Sequence, residues 1–323
     1  MTSRHPVDPE IAWMIDAFPP PAINENTVAT LRSRQATTPD FDPSGVSLER
    51  RSIKTADGAE ILLHIYLPEE PAKNRGCIYH MHGGGFVTGT AASVEFRHRP
   101  LARELGCAIV AVDYRLAPEN PHPGPIEDCY AGLAWLYSEA DALGIDRTRI
   151  GVMGESAGGG LAAALALLAR DRGEYPLAFQ HLIYPALDDR TGTGKPHPVA
   201  GEFIWTAAHN RFAWCALLGT EPGGADVSPY AAPARASDLS GLPPAYIATG
   251  ALDLLVDENI DYAQRLNRAG VPVELHVYAG GIHGFDYAPG PAIANRAIRD
   301  SQDALRRATQ SPRLTPIPSG ACD

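Results

Sequence analysis

At 323 residues, with 45% hydrophobic and 20% charged side chains, the chain has the composition of a globular protein able to bury a large core, not of a disordered one. A formal charge of −11 leaves no basic face for phosphates, which excludes a nucleic-acid partner from the expectations. The longest apolar run, Leu161 to Ala169, is about half of what a bilayer demands, so no integral membrane association is expected. Met1 to Pro9 lacks the apolar core of a signal peptide, and Cys77, Cys107, Cys129, Cys215 and Cys322 are scattered without metal-type spacing. Together these predict a reducing, cytoplasmic setting with buried thiols at Cys77 and Cys107.

In chain order, a Pro-rich start (Phe18 to Ala22) precedes a helical pattern over Asn24 to Ala36. Strand text begins near Leu48 and continues in Glu60 to Leu67, which Pro68 ends, and in Cys77 to Met81. A helix is predicted over Phe96 to Leu105, a buried strand over Cys107 to Val112 and a helix over Ile126 to Leu143. The strand Arg149 to Met153 runs directly into the helix Ala157 to Arg170, and a further strand follows at Phe179 to Tyr184. Leu187 to Gly223 reads as irregular. The alternation resumes with strand Ala245 to Thr249, helix Asp257 to Ala269, strand Val273 to Tyr278 and helix Ala292 to Ala308. Strands alternating with helices imply a mostly parallel eight-stranded sheet covered on both faces. The interruption carries Phe203, Trp205, Phe212 and Trp214, so it is expected to be an inserted cap whose aromatics wall the substrate pocket. The tail from Gln310, rich in Pro and Ser, is expected to be disordered.

Three segments carry chemistry. Gly154-Glu-Ser-Ala-Gly158 sits between a strand and a helix of small residues. A serine hydroxyl becomes a nucleophile when a sharp turn exposes it and a base takes its proton, and the glycines leave room for that turn. An ordinary tight turn with an incidental serine is the plain alternative for this segment alone. His82-Gly-Gly-Gly-Phe86, after a buried strand, lets the backbone curl so that N–H groups aim at one point, as stabilisation of an oxyanion requires. Gly83, Gly84 and Ala157 are the predicted donors. A phosphate-binding turn would want a following lysine, and none follows. Among eleven histidines, His283 in Gly280-Gly-Ile-His-Gly-Phe285 best suits the base, because glycines place it in a loop just after a strand. His80 and His82 alternate along a strand with no third ligand in view, so no metal and no cofactor is expected. The acid should fall between serine and histidine in the chain. Asp253 lies in a loop just past an apolar strand and is favoured over Asp257, which reads as a helix cap.

With these segments in hand, the sequence resembles the bacterial hormone-sensitive-lipase family of esterases. His82-Gly-Gly-Gly-Phe86, Asp113-Tyr-Arg-Leu-Ala-Pro-Glu119, Gly154-Glu-Ser-Ala-Gly158, the Asp253 to Glu258 segment and His283-Gly-Phe285 fall in that family's order, over roughly residues 45 to 309. The resemblance implies an α/β-hydrolase fold in which 46–186 and 224–309 form the catalytic domain, 1–45 and 187–223 build a helical cap, and 310–323 trail behind. It implies a triad of Ser156, Asp253 and His283, with an oxyanion hole at Gly83, Gly84 and Ala157. The implied activity is hydrolysis of small, apolar, short- to medium-chain esters without a cofactor. Amide or carbamate hydrolysis by the same residues is the alternative. Plant gibberellin receptors also resemble the family but lack its catalytic histidine, whereas His283 is present here. A homodimer is a further expectation, because the family often dimerises through the edge strand that Pro272 to Tyr278 resembles. One departure stands out: Glu155 occupies a position where the family usually carries Asp or Thr.

Overall fold

The computed structural model describes residues 6–17, 23–33, 40–70, 72–287 and 290–310. Eight strands form one sheet: β1 (Val46–Lys54), β2 (Glu60–Pro68), β3 (Arg75–Met81), β4 (Ala108–Asp113), β5 (Ile145–Glu155), β6 (Gln180–Ile183), β7 (Ala245–Gly250) and β8 (Val273–Tyr278). Their spatial order is β1-β2-β4-β3-β5-β6-β7-β8. The β1–β2 and β2–β4 pairs are antiparallel, and every later pair is parallel. The sheet is therefore mostly parallel, with β8 at its edge.

Among the described residues the α-helices are α1 (Trp13–Ala17), α2 (Val28–Ser33), α3 (Glu95–Leu105), α4 (Gly124–Glu139), α5 (Ala157–Arg172), α6 (Ala207–Leu218), α7 (Val256–Arg268) and α8 (Ala292–Gln310). Strands in the middle of a parallel sheet are covered on both faces, which is why β3 is buried at all seven positions. Leu133 of α4, Leu165 of α5, Trp214 of α6 and Tyr262 of α7 join one core with Tyr79 and Val152. Leu101 of α3 and Leu305 of α8 cover the other face, against Ile78 and Met153. Among the described residues no helix is long and apolar enough to cross a membrane.

Several boundaries differ from the sequence reading. β5 begins at Ile145, four residues early, and α6 occupies the middle of the segment read as irregular. Gln310 closes α8 instead of opening the tail, and residues 311–323 lie outside the described residues, as do Phe18 to Ala22 and Cys322. Cys77, Cys107 and Cys129 are free and buried, and Cys215 is free and half-buried.

Candidate active site

The carboxyl ends of β3, β5, β7 and β8 bring together four loops. Ser156 sits between β5 and α5 with φ +56° and ψ −120°, a backbone position that L-residues rarely adopt, so the turn projects the hydroxyl away from both elements. The sequence permits it because Gly158 packs where a Cβ would collide with the carbonyls of Met81 and His82. The Ser156 N–H is held by the Ile183 carbonyl at 2.9 Å, and its own carbonyl accepts from Ala186 and Gly160, each at 3.0 Å.

His283 lies in the loop after β8, with Nε2 3.0 Å from Ser156 Oγ. Its Nδ1 is 2.7 Å from Asp253 Oδ2 in the loop after β7. All three residues are buried. A carboxylate can only accept, so Nδ1 carries the imidazole proton and Nε2 turns a lone pair toward the serine hydroxyl. The second Asp253 oxygen, Oδ1, accepts the Leu255 N–H at 3.0 Å, which fixes the carboxylate's plane. Asp257 stands elsewhere. Its side chain is 78% exposed and 4.0 Å from His197. The cap expected of Asp257 is not there either, because Leu255 occupies the N-cap of α7 and Asp257 lies within the helix's first turn.

The glycine loop after β3 faces the serine. A Cβ on Gly83 would lie 3.0 Å from the Glu155 carbonyl and 3.6 Å from Ser156 Cβ, so a larger residue would crowd the nucleophile's turn. Gly84 has φ +124°, a conformation reserved in practice for glycine. Among the described residues the N–H groups of Gly83, Gly84 and Ala157 have no backbone acceptor, so they remain available to an incoming oxygen. Tyr114, in the Asp113 to Glu119 segment, donates its hydroxyl to the His82 carbonyl at 2.7 Å and stacks on the His82 ring 4.3 Å away. Arg115 grips buried Asp128, and Arg32 forks onto Glu119 while reaching the carbonyls of Val87 and Ala117. That last set ties α2 to the segment behind the glycine loop.

The four aromatics of residues 203–214 do not act as one wall. Trp205 is 5.9 Å, centroid to centroid, from the His283 ring, and a Cβ on Gly85 would touch its edge at 2.6 Å. Its indole N–H donates to Asn210 at 3.0 Å, which fixes the ring's orientation. Trp214 is buried against Phe86 at 5.3 Å. Phe203 packs against the core cluster that includes Ile183 and Tyr184, and Phe212 against the small cluster of Val28, Val87, Ala117 and Ala216. The sequence reading missed Tyr184, whose ring lies 4.8 Å from that of His283 and whose hydroxyl donates to Asp286. Its place at the carboxyl end of a buried strand was the available signal. The anchoring role of Glu258, a residue the sequence places at the start of the helix after Asp253, was also missed. Glu258 is buried, accepts from the N–H groups of Leu187 and Asp188 and from the Thr191 hydroxyl, and so pins the start of the 187–223 segment to α7. Burial pushes its carboxyl well above the ordinary range, outweighing those three hydrogen bonds.

Among the described residues no group of His, Cys, Asp and Glu could hold a metal ion. A nucleophile, a base, an orienting acid and an array of N–H donors together can add a hydroxyl to a carbonyl carbon and stabilise the oxyanion that results.

Comparison with known proteins agrees with that chemistry. The family described as having the alpha/beta hydrolase fold matches residues 78–287. The carboxylesterase NlhH of Mycobacterium tuberculosis is 36% identical over 319 residues, covering 95% of this chain and 97% of its own. Ethyl acetate hydrolase of Pseudomonas putida is 32% identical over 237 residues, covering 72% of this chain and 74% of its own. Among solved structures, a bacterial heroin esterase superposes with a TM-score of 0.89 at 40% identity, covering 96% of this chain and all of the other.

Proposed function

Since the chain belongs to the hormone-sensitive-lipase family of α/β-hydrolases and is a carboxylic-ester hydrolase, we propose that it works through an acyl-enzyme on Ser156 and prefers small, apolar esters of short to medium acyl length. The observation that carries this reading is the continuous chain Asp253–His283–Ser156, at 2.7 and 3.0 Å, beside three N–H groups without backbone acceptors.

In this mechanism His283 Nε2 takes the hydroxyl proton as Ser156 Oγ attacks the ester carbonyl carbon. Asp253 stabilises the imidazolium that forms, and the N–H groups of Gly83, Gly84 and Ala157 receive the oxyanion. Collapse expels the alcohol, protonated by His283. Water, deprotonated by the same imidazole, then attacks the acyl-enzyme, and the second collapse frees the carboxylic acid and restores the serine.

The names of two relatives, ethyl acetate hydrolase and arylesterase, guide the substrate proposal toward small alkyl and aryl esters. Trp205 is the pocket aromatic we assign to the acyl side, because it alone of the four lies beside His283. Residues 1–45 and 187–223 are proposed as the cap over this site, with Arg32 and Glu258 among its anchors on the hydrolase core. A cytoplasmic location fits the free, buried thiols. A homodimer through β8 fits an edge strand that exposes Leu275 and Val277. The direct test is p-nitrophenyl acetate hydrolysis by the wild type and Ser156→Ala. The variant should fold normally and lose about a million-fold in kcat, as triad knockouts do. Near-native turnover by folded variant would overturn the assignment.

A further inference from the structure

The nucleophile and the oxyanion loop hang from two adjacent strands, and their separation has to be held to a fraction of an ångström. β3 and β5 pair in parallel, His80 opposite Met153 and Met81 opposite Gly154, and Met81–Gly154 is the last rung. Past that rung the chains part, one into the glycine loop and the other into the turn at Ser156. Backbone pairing between them ends just where the catalytic groups begin.

One side-chain bond bridges the two strands there. Glu155, next to the nucleophile, extends from β5 back across the sheet, and its Oε2 lies 2.8 Å from His80 Nε2. Among the described residues no other side-chain hydrogen bond joins residues 75–85 to residues 145–157. The pair is sealed, with side-chain exposures of 0% for His80 and 4% for Glu155. It lies on the α3–α8 face, where the His80 ring packs edge-on against His98 at 4.3 Å. A buried ionisable pair is a poor source of stability, because desolvating two polar groups offsets most of their attraction. Its placement calls for a different account.

We propose that Glu155 and His80 form a brace that sets the distance between Ser156 and the N–H groups of Gly83 and Gly84, so that Glu155 is a positioning residue for ester hydrolysis. The proposal rests on the acyl-enzyme reading above. It also accounts for a glutamate preceding the nucleophile. Aspartate is shorter by one methylene, roughly 1.5 Å of reach, and from the same backbone position would leave His80 without its partner. Nothing in the brace touches the substrate. Its effect is on geometry in the transition state, so it should act on kcat and not on KM.

The experiment compares wild type, Glu155→Asp, Glu155→Gln, His80→Ala and the Glu155→Asp/His80→Ala double variant on p-nitrophenyl acetate. Rates are expressed per serine labelled by a fluorophosphonate, so that partial unfolding does not enter. A misplacement of about 1 Å costs on the order of a hundredfold. Glu155→Asp should therefore lose roughly ten- to a hundredfold in kcat, within about twofold of the wild-type KM. Glu155→Gln, which keeps the length and a hydrogen bond to imidazole, should recover to within about threefold of wild type. The double variant should be no slower than the slower single variant, because both break the same contact. Wild-type kcat in Glu155→Asp, a loss confined to KM, or multiplicative losses in the double variant would each overturn the brace. An inactive wild type would instead overturn the acyl-enzyme reading, so the two failures are distinguishable.

Discussion

Replacing Asp253 by Asn tests the orientation of His283 with a single atom. Asp253 Oδ1 accepts the Leu255 N–H at 3.0 Å, and Oδ2 faces His283 Nδ1 at 2.7 Å. An asparagine there has one acceptor and one donor, and the Leu255 N–H needs the acceptor. The amide oxygen must stay at the Oδ1 position, which turns the NH₂ group toward His283. Facing a donor, Nδ1 has to present its lone pair, so the ring proton moves to Nε2 and points at Ser156 Oγ, 3.0 Å away. The base then has no lone pair where the serine proton must go. Wrong-tautomer substitutions of this kind cost about ten-thousand-fold in kcat, or roughly 5 kcal/mol of transition-state stabilisation. Asp257→Asn is the control. That side chain is mostly exposed and in the first turn of α7, so the change should stay within about twofold. Steady-state hydrolysis of p-nitrophenyl acetate by both variants decides the matter. A crippled Asp257→Asn with an active Asp253→Asn would refute the assignment of the acid.

Two further outcomes follow from the surroundings of the triad. If Trp205 ends the acyl pocket, kcat/KM over p-nitrophenyl esters from acetate to palmitate should rise by about fourfold per added methylene while each is buried. It should then fall steeply, and Trp205→Ala should move the peak to longer chains; activity still climbing at palmitate in the wild type would remove the wall. For Glu258, the folded-state pKa lies above the unfolded one, so its contribution to stability is complete in acid and is lost as pH rises through the folded value. Glu258→Gln mimics the protonated form and should escape that loss. Its thermal midpoint should gain on the wild type as pH rises above the ordinary carboxylate range, and a gap that shrinks with rising pH would contradict the buried, raised carboxyl.

The sequence disclosed the sheet because central strands such as Cys107 to Val112 are unbroken apolar runs bounded by turn residues. It pointed to the three residues proposed as the triad, which the structure brings into one hydrogen-bonded chain, because each lies in a short loop at a strand's carboxyl end near glycines that have few other uses there. What it hid was set by burial of polar residues. The α6 helix went unread because His209 and Asn210 occupy its buried face and mask the apolar period, although Thr206, whose hydroxyl accepts the His209 N–H, is a readable cap. The first residues of β5, Ile145 to Thr148, look like loop because Asp146, Arg147 and Thr148 are polar. They extend the strand while Arg147 pairs with Asp141, and Arg149 with Asp146. Asp257 looks like a cap by residue type alone, and the geometry gives the cap to Leu255. Glu258 and Tyr184 act through partners 67 to 102 residues away; the strand end marked Tyr184 as a place to look, but no local pattern names either residue's partner.

The central claim is that one serine is activated, and covalent labelling addresses it most directly. The structure contains a second close serine–histidine pair, Ser301 Oγ of α8 and His181 Nε2 of β6 at 2.8 Å. Burial holds the His181 imidazole down to about 3, so it is a weak base. A fluorophosphonate should add once per chain, abolish ester hydrolysis and map by peptide mass spectrometry to Ser156. Labelling at Ser301, or hydrolysis that persists in fully labelled protein, would contradict the account.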